Sequence, residues 1–293
     1  MTRRETVRQG KRWRVLPDHG TLLVHTDLHG NGEDFRRLKK RFFELREQQP
    51  QTHWVILGDI VHGPCPEANE RHPDIYGYRD ESWEIVAELT ELTRTYPDHV
   101  HFVLGNHDFA HLGGPRTRRF YPDEVDALES RLTPQQVMSL HDLLHAGLLA
   151  VAAPCGMLMT HGCPSDALTD LRQLDAIAMP PAAEDRLGRQ ILGGVLFAYG
   201  QRHDVTQRLL AGLSSENLEL AMVVHGHDRD RKGWFSESDN QLCVLLFGSP
   251  PRARRYLELD LSARYRGVRD LRHGHEILRL YPELDEDLSD SPA

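Results

Sequence analysis

The chain has 293 residues, 39% of them hydrophobic, with 44 acidic against 35 basic side chains and a formal charge of −9. That length suits one large α/β domain or two small ones, and the acidic balance argues against a non-specific nucleic-acid binder. Eighteen histidines stand out, because histidine is the commonest metal ligand and acid/base group near neutral pH. The four cysteines, Cys65, Cys155, Cys163 and Cys243, form no CxxC pair and read as reduced thiols of a cytoplasmic protein. The basic N-terminus lacks an apolar core, and the most apolar run, LLAVAAPCGMLM, is broken at Pro154. Neither a secretory signal nor a membrane span is expected.

Residues 1–19 read as an N-terminal extension, 20–280 as one domain, and 281–293 as an acidic tail too poor in apolar residues to fold. Within the domain, TLLVHTDLH (21–29) predicts a buried strand. An amphipathic helix follows, with Leu38, Phe42 and Leu45 at helical spacing. HWVILGDIV (53–61) predicts a second strand, 63–77 a Pro- and Gly-containing loop, 81–96 a helix, and VHFVLGNHD (100–108) a third strand. This β-α-β-α-β rhythm predicts parallel pairing through helical crossovers. Next come a helical region at 122–145, short adjacent strands at 148–153 and 156–162, and a helical, loop-rich stretch at 163–190. A helix at 203–213 precedes strands within 218–228, 241–250 and 255–261. The fold class is α/β (α+β).

The predicted strands end in residues that bind metals: Asp27-Leu28-His29, Gly58-Asp59, Asn106-His107-Asp108, His161-Gly162 and His225-Gly226-His227. In open α/β sheets, sites form at the carboxyl ends of strands, so these sets can converge. In an extended Asp-x-His both side chains point the same way, which would let Asp27 and His29 share one cation. Asp59 has two oxygens, enough to bridge two ions about 3.5–4 Å apart. Asn106 offers a neutral carbonyl oxygen, and His161 and His227 offer imidazole nitrogens; the mixture suits Zn, Fe or Mn better than Mg. His107, beside Asn106, is the natural general acid for a leaving alkoxide. A lone Gly-Asp or strand-end histidine is commonly structural; the argument rests on five such sets in order.

The series DLHG, GDIVHG, GNHD, THG and HGHD resembles the calcineurin-like metallophosphoesterase superfamily, and within it the phosphoprotein phosphatase family of serine/threonine phosphatases. LLAVAAPCGMLMTHGCPSD, GGVLFAYG and QLCVLLFGSPP resemble further segments of that family, so the likeness spans about residues 20–262. It implies a four-layer fold, a two-sheet β-sandwich flanked by helices. It also implies one metal held by Asp27, His29 and Asp59, a second held by Asp59, Asn106, His161 and His227, and hydrolysis by a bridging hydroxide with His107 as acid. Many superfamily members end in GHxH; Arg229 stands at that last position here, and His225 is the alternative to His227.

Two departures from the resembled motif stand out. The family's GDxxDRG carries an aspartate that orients the catalytic histidine and an arginine that grips phosphate; His62 and Gly63 replace them here. A second phosphate-binding arginine corresponds to Gly193. A protonated His62 would invert the local charge. Arg116, Arg118, Arg119, Arg189 and Arg202 are candidates to replace the lost clamps, which lysine or histidine would not reproduce. The expected partner is a phosphorylated substrate, a phosphoprotein or small phosphoester, with neither membrane nor nucleic acid involved. A phosphodiesterase or diadenosine tetraphosphatase-like hydrolase is the alternative, and a non-catalytic phospho-binding member a third.

Overall fold

The computed structural model describes residues 9–284, so residues 285–293 of the acidic tail lie outside the described residues. Its strands are β1 (Trp13–Val15), β2 (Thr21–Thr26), β3 (Thr52–Leu57), β4 (Val100–Val103), β5 (Ala150–Ala153), β6 (Met157–Met159), β7 (Met222–His225), β8 (Trp234–Ser238), β9 (Gln241–Val244), β10 (Arg255–Asp260) and β11 (Ile277–Arg279). They form two sheets, ordered β11-β10-β2-β3-β4 and β1-β5-β6-β7-β9-β8. β2, β3 and β4 pair in parallel, as the βαβ rhythm predicts. β10 closes that sheet antiparallel to β2.

Strand alternation builds the layers. Leu22, Val24, Val55, Leu57 and Val103 of the first sheet join Val151, Met157, Met159, Val224, Leu242 and Val244 of the second in one buried cluster between the sheets. The intervening Leu23, Trp54 and Ile56 turn the other way, toward helix α1 (Gly32–Gln48), where Trp54 packs on Phe35 and Phe42. The remaining helices are α2 (Pro66–Arg71), α3 (Pro73–Tyr76), α4 (Ser82–Thr95), α5 (Asn106–Ala110), α6 (Glu124–Glu129), α7 (Pro134–Ala146), α8 (Gln173–Ala176), α9 (Arg186–Phe197) and α10 (His203–Leu213). Helices α9 and α10 supply Ile191, Val195, Leu209 and Leu210 to the buried core. The fold is the helix-flanked two-sheet sandwich that the resemblance implies.

Several local expectations change. The strands stop earlier than their apolar runs suggest, at Thr26, Leu57 and Val103, and Asn106-His107-Asp108 opens helix α5 instead of ending a strand. The 63–77 loop contains α2 and α3, each started by a proline in its first turn, where the missing N–H costs nothing. Edge strands β1, β8 and β11 carry mixed, partly exposed sequences, so no apolar run announced them. β1 pairs with β5, and buried Arg12 just before it donates to the carbonyls of His145 and Gly147. Residues 12–15 are therefore integral to the second sheet's edge.

A buried ion pair ties the sandwich to the loops above it. Arg254 Nη1 donates to Asp34 Oδ1 at 2.7 Å, and its other nitrogens donate to the carbonyls of Ser249 and Ile75. Tyr281 Oη donates to the same Asp34 oxygen at 2.7 Å. Removing one partner of such a pair leaves an uncompensated buried charge. Arg254→Ala should therefore lower unfolding free energy by about 3–5 kcal/mol, read by chemical denaturation; a loss below about 1 kcal/mol, the level of an exposed pair, would contradict the account.

Candidate active site

The five positive-φ non-glycine residues among those described are Asp27 (49°), His29 (45°), Asp59 (50°), His62 (69°) and His227 (64°). Four of them belong to the sets expected to converge, and His62 follows Asp59 in the same turn. Left-handed backbone costs a non-glycine residue on the order of 1–3 kcal/mol, and such strain collects at functional sites. Asp27 and His29 thus face one another across a tight turn, not through strand alternation, with Oδ1 and Nε2 4.0 Å apart.

Pairing between loops holds the strain. Asp27 N–H donates to Gly58 O, His29 N–H to Asp59 O and Gly30 N–H to Ile60 O, so the turns after β2 and β3 run side by side. The buried carboxylate of Asp108 then accepts from Asp59 N at 2.7 Å, Ile60 N at 3.1 Å and Gly105 N at 2.9 Å. Gly58 and Gly105 touch so closely that a Cβ on either would collide with the other loop. Asp108 is a residue the motif contained but whose role sequence reasoning missed.

The metal-type residues meet in this nest. His161 Nδ1 is 2.8 Å from Leu57 O and His29 Nδ1 is 3.3 Å from His62 O. Each ring then donates from Nδ1 and turns Nε2 inward, the nitrogen left to meet a metal. Those Nε2 atoms lie 3.3 and 3.6 Å from Asp59 Oδ2. Asn106 Oδ1 sits 3.1 Å from His161 Nε2 and 2.6 Å from His227 Nδ1. His225 instead turns Nδ1 to Gly226 O and stands outside this cluster, so His227 is the member brought to the site. Two buried carboxylates, three imidazoles and an amide oxygen, with Asp59 shared between two groups, form a donor set that fits two borderline cations.

Electrostatics match. Burial alone would raise the Asp59 carboxyl, but His161, His107 and His29 hold it well below the usual range. Burial pushes Asp27 up to about 7. Burial would lower His161, yet the carboxylates of Asp59 and Asp27 hold its imidazolium up to about 10.

His107 opens α5 with its N–H donating to Asp59 Oδ1 at 2.8 Å. Its Nδ1 lies 3.1 Å from Glu124 Oε2, a fully buried carboxylate at the start of α6. Glu124 Oε1 accepts from Phe120 N–H at 2.8 Å, which fixes the carboxylate plane. Burial would lower His107, but Asp59 and Glu124 outweigh it and raise its pKa. His62 reaches the same carboxylate, with Nδ1 3.4 Å from Glu124 Oε2 and 3.3 Å from His107 Nδ1. Burial pushes His62 down to about 4, so it is neutral and the expected charge inversion does not occur. Glu124 provides the anion that the GDxxH motif lacks. It lies in a helical stretch with no motif around it, so nothing in the sequence flagged it.

Among the candidate arginines, Arg116 pairs with Asp123 and Arg202 with Asp204, and Arg118 and Arg189 are exposed. Arg119 is different. Its guanidinium stacks 4.7 Å from the Phe247 ring, donates to Tyr76 Oη at 2.9 Å and keeps a buried, unpartnered Nε. Phe247 in turn packs 3.9 Å from His29, so Arg119 stands one ring away from the centre. Gly193 sits in α9 with open space where a Cβ would go. Arg229 is exposed, and Tyr199, also exposed, covers His227 at 4.9 Å between rings.

A raised His161 has a measurable consequence. As a ligand it must be neutral, so cation uptake at neutral pH, well below its pKa of about 10, must expel its proton. Affinity should rise with pH through the neutral range. Calorimetric titration of Mn²⁺ into chelator-treated protein, in buffers of different ionisation enthalpy, should show at least one proton released per chain; uptake without proton release would contradict the assignment of His161.

Comparison with known proteins agrees with this geometry. The sequence matches the profile of the calcineurin-like phosphoesterase family over residues 20–277. A comparison with curated protein sequences gave no match. Among solved structures, the chain is similar to a cold-active protein-tyrosine phosphatase of a psychrophilic Shewanella species, with 17% identity and TM-score 0.57 over 86% of this chain and 79% of that one. It is also similar to a Saccharomyces cerevisiae protein serine/threonine phosphatase resembling human PP5, with 15% identity and TM-score 0.55 over 83% of this chain and 74% of that one. With the family profile covering most of its length, the chain belongs to the calcineurin-like phosphoesterase family and is a metal-dependent phosphoester hydrolase.

Proposed function

We propose that the chain is a two-metal phosphomonoesterase of the protein serine/threonine phosphatase type. The observation that carries this reading is His107, its pKa raised beside Asp59 and its Nδ1 backed by the buried Glu124 carboxylate. Asp27, His29 and Asp59 would hold one ion, and Asp59, Asn106, His161 and His227 the other. Bound there, Mn, Fe or Zn ions would supply Lewis-acid polarisation of the phosphoryl oxygens and a water of lowered pKa.

The chain's own groups supply the rest. Glu124 faces His107 Nδ1, which leaves Nε2 as the nitrogen free to protonate the leaving oxygen. Glu124 is thus a positioning residue that occupies the role of the resembled family's aspartate from another segment. His62, neutral and wedged between His107 and Glu124, fills the space and fixes the ring. Arg119 is the one candidate arginine near the centre without an ion-pair partner among the described residues, which supports it as the phosphate-binding cation. A dianionic monoester needs such a cation more than a diester does, which favours the monoester reading. The free cysteines, three of them buried, and the absence of any helix long and apolar enough to cross a membrane among the described residues support a cytoplasmic location.

With p-nitrophenyl phosphate and Mn²⁺, Asp59→Asn and His107→Ala should each lower kcat by about 10²–10⁴-fold; full activity in both variants would sink the mechanism. Glu124→Gln should lower kcat and move the alkaline limb of the pH profile to lower pH. The sign follows from His107: its pKa is raised partly by Glu124, and without that charge its acid form is lost sooner as pH rises. Glu124→Asp should restore part of the shift, whereas a merely structural role for Glu124 would leave the profile in place.

Arg119→Ala should raise KM for monoesters by about 10-fold or more, the scale of one charge-assisted hydrogen bond. A panel of phosphopeptides, a bis-aryl phosphodiester and diadenosine tetraphosphate tests the substrate class. Preference for either of the last two would replace the monoester reading.

A further inference from the structure

On the far side of His62 from Asp59 lies a second constellation that the catalytic reading does not use. His111, at the end of α5, places Nδ1 2.7 Å from Glu129 Oε1. His141, on α7, places Nε2 2.9 Å from the same oxygen. The three donor atoms lie within 4.8 Å of one another, supplied by three helices. The His111 side chain is fully buried, while Glu129 and His141 are 27% and 36% exposed, so the cluster has a closed floor and a mouth open to solvent.

Hydrogen accounting allows two arrangements here, and one of them calls for a cation. His111 Nε2 is 2.8 Å from His62 Nε2, so one of these two nitrogens must donate and the other accept. His62 Nδ1 faces Glu124 Oε2, an acceptor that calls for a hydrogen from it. If His62 carries its single hydrogen there, its Nε2 is bare and His111 must donate from Nε2. His111 Nδ1 is then bare as well, and it faces a Glu129 oxygen at 2.7 Å. Two lone pairs at that distance repel unless a cation lies between them. The competing arrangement reverses both rings: His111 donates to Glu129, and Thr117 Oγ1, 3.3 Å from His62 Nδ1, donates to His62. It leaves a bare His62 nitrogen against the Glu124 carboxylate and needs no cation.

We propose that His111, Glu129 and His141 form a binding site for a single divalent cation of the zinc class, separate from the candidate active site and joined to it through His62. Two imidazoles, a carboxylate and one open position are a zinc donor set, with ligand distances of about 2.0–2.2 Å. Such distances set neighbouring donors somewhat over 3 Å apart, so binding opens the present contacts by a few tenths of an ångström. Glu129 is ionised, its pKa held down to about 2 chiefly by hydrogen bonding to His111, and burial lowers the His111 pKa, so the carboxylate is already in ligand form. A cation here fixes His111 as the donor to His62, and His62 as the donor to Glu124. Helix α6 thereby presents Glu124 at its start to the catalytic acid and Glu129 at its end to this cation.

The test is zinc bound per chain, measured by equilibrium dialysis and elemental analysis of the full chain, native and Asp59→Asn, each with and without His141→Ala. His141→Ala should remove one equivalent in both backgrounds, and Glu129→Gln, which keeps the side-chain shape, should do the same. His141 is partly exposed on a surface helix, and circular dichroism checks that the fold is retained. Equal zinc with and without His141→Ala in both backgrounds overturns the proposal. The Asp59→Asn arm separates the two readings, because a defect confined to the candidate active site lowers zinc there and leaves the His141-dependent equivalent in place.

Discussion

The carboxylate of Asp108 is the contact on which the rest of the site depends. It has no substrate to touch; it accepts three backbone hydrogens from the turns that follow β3 and β4. The turn after β3, with the one after β2, holds left-handed residues that would relax if released. Burial pushes Asp108 up to about 7, and the amides that it accepts from work against that shift. A carboxylate that satisfies buried N–H groups is hard to replace, since each orphaned donor carries its own desolvation penalty. The strain at Asp27, His29 and Asp59 is thus distributed over the loops and sheets below, whose packed faces do not yield easily.

The same economy of contacts shapes the surroundings of His107. A buried anion faces its Nδ1, and the chain supplies it from α6, not from the turn after β3. His62 occupies the vacated place as a neutral, well-packed ring. Moving the carboxylate has a topological effect, because α6 begins and ends in glutamates that face two different histidine groups. The turn carrying Asp59 and the helix carrying Glu124 are separated by more than 60 residues of chain. They meet because the loop after α5, from His111 to Asp123, folds back with Thr117 against His62 and Arg119 against Phe247.

Much of this was legible from the chain alone. Apolar runs of four to six residues marked the central strands, and the amphipathic spacing of Leu38, Phe42 and Leu45 marked α1, because burial on one face imposes a period. Asp27, His29, Asp59, Asn106, His161 and His227 could be picked out since each follows such a run and each is a residue type with few reasons to sit there. The edge strands β1, β8 and β11 were not legible: half-exposed strands carry no strong pattern. Nor was the backbone of the motifs, since Asp-x-His reads the same whether extended or left-handed.

Sequence by itself determined which side chains meet at the candidate site and roughly where along the chain they stand, because strand ends and residue types are local properties. Tertiary structure alone decided the partners. Glu124, Asp108 and Arg119 acquire their roles from neighbours remote in sequence, and the charge state of His62 follows from burial, which no local pattern encodes. Long-range contact and desolvation are properties of the assembled layers, so the turn GDIVHG could announce Asp59 yet remain silent on what stands opposite its histidine.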